Sequence, residues 1–114
     1  MKHRAMEQGR RQAFWYPFVA YAELLVENSN ACLTTRVSKL SRQGCYLDLT
    51  HTLPAGTSVI VKIYAWPHFL QARGTVSYLE HGLGVAFENI ESDYASALEA
   101  CLLEAQQKQR KLFP

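Results

Sequence analysis

Polar and hydrophobic side chains alternate with a period of two along most of the chain, which predicts a succession of strands that each bury one face. Residues 18–26 read as a long first strand, opened by Pro17, where a missing N–H does least harm. Residues 33–37 set Leu33, Thr35 and Val37 against Thr34 and Arg36, and residues 45–49 set Cys45, Leu47 and Leu49 against Tyr46 and Asp48. Between these two runs lies a polar hinge, residues 38–44, ending in Gly44. A glycine there can take the positive φ that a tight strand-to-strand return often needs. Residues 58–64 place Val59, Val61 and Ile63 opposite Ser58 and Lys62, while Ile60 breaks the alternation and implies a partly covered outer face. Residues 69–79 put Leu70, Ala72, Val76 and Tyr78 opposite Gln71, Arg73, Thr75 and Ser77. Gly74 falls on the apolar side and marks a bend or a close approach. Residues 83–87 complete the set through Leu83, Val85 and Phe87. Six short strands separated by tight turns predict a mainly β architecture, a small antiparallel barrel.

The period then changes. From Ser92, read as an N-cap with Asp93 behind it, apolar residues recur at Tyr94, Ala97, Leu98, Cys101, Leu102 and Ala105. Steps of three and four make one stripe of a helix, and Lys108, Arg110 and Lys111 suit its C-terminal end. The stripe should pack on the barrel. The chain thus divides into a basic arm (1–13), a barrel (14–91) and a terminal helix (92–114).

Composition changes this picture little. A length of 114 residues supports a core without disulfides, and a net charge of +2 speaks against generic duplex binding, which needs a strongly basic face. Cys32, Cys45 and Cys101 form no close pair and read as reduced thiols, two of them buried. No stretch has the pattern of a signal peptide or a membrane span, so the expected compartment is the cytoplasm. His3, His51, His68 and His81 lack metal-ligand spacing and Ser41 has no evident base, so an enzyme is the weakest reading and no metal is expected.

The candidate chemistry is binding. Ser41 and Arg42 sit on the hinge, where backbone N–H groups left free would help to hold an anion. In the arm, Arg10 and Arg11 are followed at once by Phe14, Trp15 and Tyr16, a pairing of guanidinium and ring suited to phosphate contact and base stacking. The plainer reading is a solvated arm whose rings cover one end of the core. A small RNA-binding barrel fits the arm but not the low net charge.

The order of these pieces resembles the PilZ family. The resemblance spans about residues 10–103. It rests on Val37-Ser38-Lys39-Leu40-Ser41-Arg42-Gln43-Gly44-Cys45-Tyr46-Leu47, on Leu53-Pro54-Ala55-Gly56-Thr57 and on Gly82-Leu83-Gly84-Val85-Ala86-Phe87. It implies a split six-stranded barrel with a helix, and binding of the bacterial second messenger cyclic di-GMP, relayed to a protein partner. The family signature joins an R-x-x-x-R arm to a [D/N]-x-S-x-x-G hinge. Arg11 matches the first arginine with Arg10 as its basic neighbour, and Ser41 and Gly44 match the hinge. Trp15 stands at the second arginine position and Lys39 at the acidic or amide position.

Trp15 can stack but cannot fork onto guanine or phosphate, and Lys39 can donate but cannot accept from a guanine edge. Each lost bidentate contact is worth about 1–3 kcal/mol, so two losses would weaken binding roughly 10²- to 10⁴-fold if additive. Two readings follow. In one, Arg10, Arg11, Trp15, Lys39, Ser41, Arg42 and Gly44 form an altered cyclic di-GMP site. In the other, the barrel is an adaptor that binds no nucleotide and acts only through protein contact, by Trp66, the helix or the first strand.

Overall fold

The computed structural model describes residues 14–49, 53–79 and 82–112. Arg10 and Arg11, with the rest of the basic arm, lie outside the described residues, as do His51 and His81. The strands are β1 (Tyr16–Val26), β2 (Cys32–Ser41), β3 (Gly44–Leu47), β4 (Ser58–Ala65), β5 (His68–Leu79) and β6 (Gly82–Asn89), followed by the helix α1 (Ser92–Leu112). All pairings are antiparallel, and the order β1-β2-β3-β6-β5-β4 returns to β1, closing a six-stranded barrel.

The inward faces are those the alternation marks. Ala22, Leu24, Val37, Val59, Val61 and Ile63 are fully buried, and Leu70, Ala72, Val76 and Val85 nearly so. Tyr78 departs from this pattern. It is half exposed, and its hydroxyl donates to the Leu53 carbonyl and accepts from the Leu53 N–H, clasping the proline–glycine loop instead of filling the core.

Strand β2 runs to Ser41, four residues past the end its alternation marks. A register shift between Val37 and Lys39 in the pairing with β3 explains the difference. A bulge adds a residue, so the next inward side chain after Val37 is Leu40, three positions on. A strict period of two ends there even though the strand does not. β3 correspondingly covers only Gly44–Leu47, and Asp48 beyond it pairs with Arg36 at 3.0 Å.

Helix α1 packs across β5 and β1, and its Leu98, Cys101 and Leu102 join the barrel core in one cluster. His68 Nε2 lies 3.0 Å from Glu104 Oε2, and Phe69 meets Tyr94 edge to face, so both side chains at the start of β5 hold the helix. The helix begins one residue earlier than its cap signal suggests. Glu91, following the core-packed Ile90, takes the cap position, because its carbonyl accepts from the N–H of Ala95, and Ser92 is already helical. Ile60 is half-buried on the outer face, where it shares a cleft with Tyr94.

Candidate functional site

The hinge is a tight two-residue turn, Arg42-Gln43, between Ser41 and Gly44, which face each other as the last pair of the β2–β3 ladder. Ser41 is 1% exposed, and its Oγ accepts the Gln43 N–H at 3.1 Å. The serine therefore holds the turn shut, and at least this N–H of the corner is spent internally rather than left for an anion. The carbonyl of Gln43 accepts from the N–H of Phe87, which ties the turn to β6.

Gly44 has a different reason from the one its position suggests. Among the described glycines, positive φ occurs at Gly56 and Gly82, not at Gly44. A Cβ on Gly44 would instead lie 2.2 Å from the carbonyl oxygen of Val85. Glycine is needed there because β3 and β6 approach too closely for any side chain.

Arg42 projects from the corner into solvent and forks onto one carboxylate of α1, Nε to Glu99 Oε2 at 2.7 Å and Nη2 to Glu99 Oε1 at 2.8 Å. The hydrogen bonds and charge of Glu99 raise the guanidinium pKa further. In return, the Arg42 hydrogen bonds hold Glu99 below the usual carboxylate range, against a smaller opposing effect of burial. A lowered carboxylate pKa stabilises the fold above the unfolded-state pKa, and the contribution is lost as pH falls through the folded-state value. Both side chains are more than half exposed, so the coupling is screened. A double-mutant cycle with Arg42→Ala and Glu99→Ala should give about 0.2–1 kcal/mol at pH 7 and none once Glu99 is protonated. Urea melts at the two pH values check this, and a coupling that persists in acid would contradict it.

Above the corner, on the outside of the barrel, two signature positions meet a third residue. Tyr46 alternates with the core residues Cys45 and Leu47 and so faces outward, yet it is only 4% exposed. Trp15 covers it, with ring centroids 4.7 Å apart and planes tilted by 55°. Lys39 lies directly opposite Tyr46 in the β2–β3 register and opposite Pro17 in the β1–β2 register. Trp15 and Lys39, twenty-four residues apart in sequence, thus border the same ring.

Tyr46 and Glu99 are functional candidates that the pattern of the chain does not mark. Tyr46 carried one signal, an aromatic on the outward phase of a strand. Glu99 carried none, since its partner is fifty-seven residues away. Cys45 lies in the core, where complete burial pushes its thiol up to about 12. Among the described residues, no cluster of three or more His, Cys, Asp or Glu could hold a metal ion, and no helix is long and apolar enough to cross a membrane.

The PilZ domain family model matches residues 9–104, which takes in the whole barrel, the corner and most of α1. The chain belongs to the PilZ domain family. Two solved structures share the fold. The Bacillus subtilis inhibitor of motility MotI/DgrA superposes with a TM-score of 0.66 at 15% identity, covering 90% of this chain and 52% of that one. The PilZ domain of CeSA from a cellulose-synthesising bacterium superposes with a TM-score of 0.64 at 12% identity, covering 82% of this chain and 98% of that one. This PilZ chain therefore spans about half the length of MotI/DgrA. A search of curated proteins gives no match. PilZ domains are regulatory and binding domains of the cyclic di-GMP receptor family rather than catalytic ones.

Proposed function

We propose that this PilZ domain is a cytoplasmic receptor in bacterial second-messenger signalling that takes cyclic di-GMP through an altered, weakened site and relays it by protein contact. The observation that supports this reading is the convergence on Tyr46. The altered arm position, Trp15, and the altered hinge position, Lys39, border one ring on the outer face of the corner. Rings there can stack on a guanine, and Lys39 supplies a cation for a phosphate. Arg10 and Arg11, five and four positions before Trp15, supply the guanidinium forks. Ser41 and Gly44 shape the corner, and Arg42 joins the ligand by exchanging Glu99 for phosphate. Such an exchange is cheap, because an exposed ion pair is worth only about 0–1 kcal/mol.

Calorimetric titration with cyclic di-GMP tests the proposal. The wild type should bind measurably, and Arg11→Ala should lose about tenfold or more in affinity, the size of one forked contact. Absence of heat at high micromolar ligand removes the receptor reading. Unchanged affinity in Arg11→Ala rejects the site.

The second reading, an adaptor that binds no nucleotide, draws support from the same corner. Arg42 is already engaged by Glu99, Ser41 by its own turn, and the acceptor position holds a lysine. The titration separates the two.

A further inference from the structure

On the outer wall of β1, β4 and β5, rings gather around one carboxylate. Tyr21 and Tyr64 face each other across the β1–β4 register with centroids 5.4 Å apart, and Phe69 continues the row 5.0 Å from Tyr64. Both tyrosine hydroxyls donate to Glu23, Tyr64 to Oε1 at 2.9 Å and Tyr21 to Oε2 at 3.3 Å. Lys62 sits opposite Glu23 in the register, yet among the described residues no cation forms an ion pair with this carboxylate. Beyond the row, Trp66 at the β4–β5 turn is 94% exposed and Val19 on β1 is 71% exposed.

Phe69 is shared with Tyr94 of α1, while Tyr21, Tyr64 and Trp66 stay exposed. β1 and β4 each pair on both sides, so this wall offers no free strand edge to which a partner could add a strand. Any partner must bind through side chains, and the side chains offered have one chemical character. A carboxylate steadied by two hydroxyls keeps lone pairs for a further donor, and the flanking ring faces carry negative potential. Both features attract a cation. A guanidinium fits better than an ammonium, because it forks onto the carboxylate while its plane lies along a ring. Trp66 and Val19 extend the apolar surface well past the reach of one side chain, which calls for a peptide segment rather than a free amino acid.

We infer that this wall is a docking surface for a partner protein, and that it receives an arginine flanked by apolar residues, with Glu23 taking the guanidinium and Tyr21, Tyr64 and Trp66 packing its surroundings. The surface lies on other strands than the β2–β3 corner, so it stands or falls independently of nucleotide binding.

The test uses the full chain and a defined probe, the capped tripeptide acetyl-leucyl-arginyl-valinamide, beside its citrulline counterpart of the same shape without charge. Aromatic NMR spectra should show saturable shifts of the Tyr21, Tyr64 and Trp66 rings with the arginine peptide. The citrulline peptide should bind about tenfold more weakly, the size of one charge-assisted hydrogen-bonded contact. Glu23→Gln should abolish the difference between the peptides, and Trp66→Ser should weaken both, while cyclic di-GMP titrations of both variants match the wild type. Equal binding of the two peptides, shifts centred elsewhere, or no shifts would overturn the inference. So would a dimer in sedimentation that Trp66→Ser dissolves, since the wall would then belong to a second copy.

Discussion

Replacing Trp15 by arginine and Lys39 by aspartate together should strengthen cyclic di-GMP binding about 10²-fold. Trp15 lies against the Tyr46 ring and Lys39 is its register partner across β2–β3, so both new groups enter the same patch. The arginine restores a fork onto guanine or phosphate, and the aspartate restores an acceptor for a guanine edge; each is worth about 1–3 kcal/mol. Against this stands the loss of the Trp15–Tyr46 contact, about 0.5–1.5 kcal/mol by the usual value of an aromatic pair. The two gains share a ligand and need not add, so the pair is expected to act more strongly than either change alone. Calorimetry on the wild type, both single variants and the double variant reads the effect directly. A double variant no tighter than the wild type would mean that the nucleotide does not sit over Tyr46, and the site assignment would fail.

The second large effect concerns stability. Gly44→Ala should lower the unfolding free energy by about 3 kcal/mol, at the upper end of the cost of overpacking. The added Cβ would lie 2.2 Å from the Val85 carbonyl oxygen and 3.2 Å from its carbon, both backbone atoms that no rotamer change can move. β3 has only four residues and alone links β2 to β6, so parting it from β6 opens the ring. For a domain of this size the loss corresponds to a fall in Tm of roughly 10 °C or more. Gly56→Ala is the control. Nothing lies within 4 Å of its added Cβ, and its φ of +89° should cost only about 1 kcal/mol. Thermal melts of both variants decide the matter, and a Gly44→Ala melt as mild as that of Gly56→Ala would refute the close-approach explanation.

Most of the barrel can be read along the chain because burial of one strand face imposes a period of two wherever the ladder is regular. Val59, Val61 and Ile63 on β4, and Leu70, Ala72 and Val76 on β5, lie where the alternation puts them. The helical stripe through Leu98, Cys101, Leu102 and Ala105 is equally plain, since a helix that buries one face against a barrel repeats its apolar residues with a period of 3.6. The reading fails where geometry breaks the period. The bulge after Val37 shortens the apparent β2. Tyr78 stands in phase with the core yet has a hydroxyl whose hydrogen bonds to Leu53 draw it to the loop.

The candidate site was legible only as a list of types. Arginines, a serine, a glycine and a tryptophan at family spacing stand in the sequence, but their present partners do not. Local periodicity depends on neighbours two to four positions apart, and the chain alone determined the strands, the helix, their faces and the two departures from the signature. Contacts between residues twenty or more positions apart depend on how the barrel closes. Only the tertiary structure could decide that Trp15 covers Tyr46, that Glu99 holds Arg42, that β6 forbids a side chain at Gly44, and that Tyr21 and Tyr64 share Glu23.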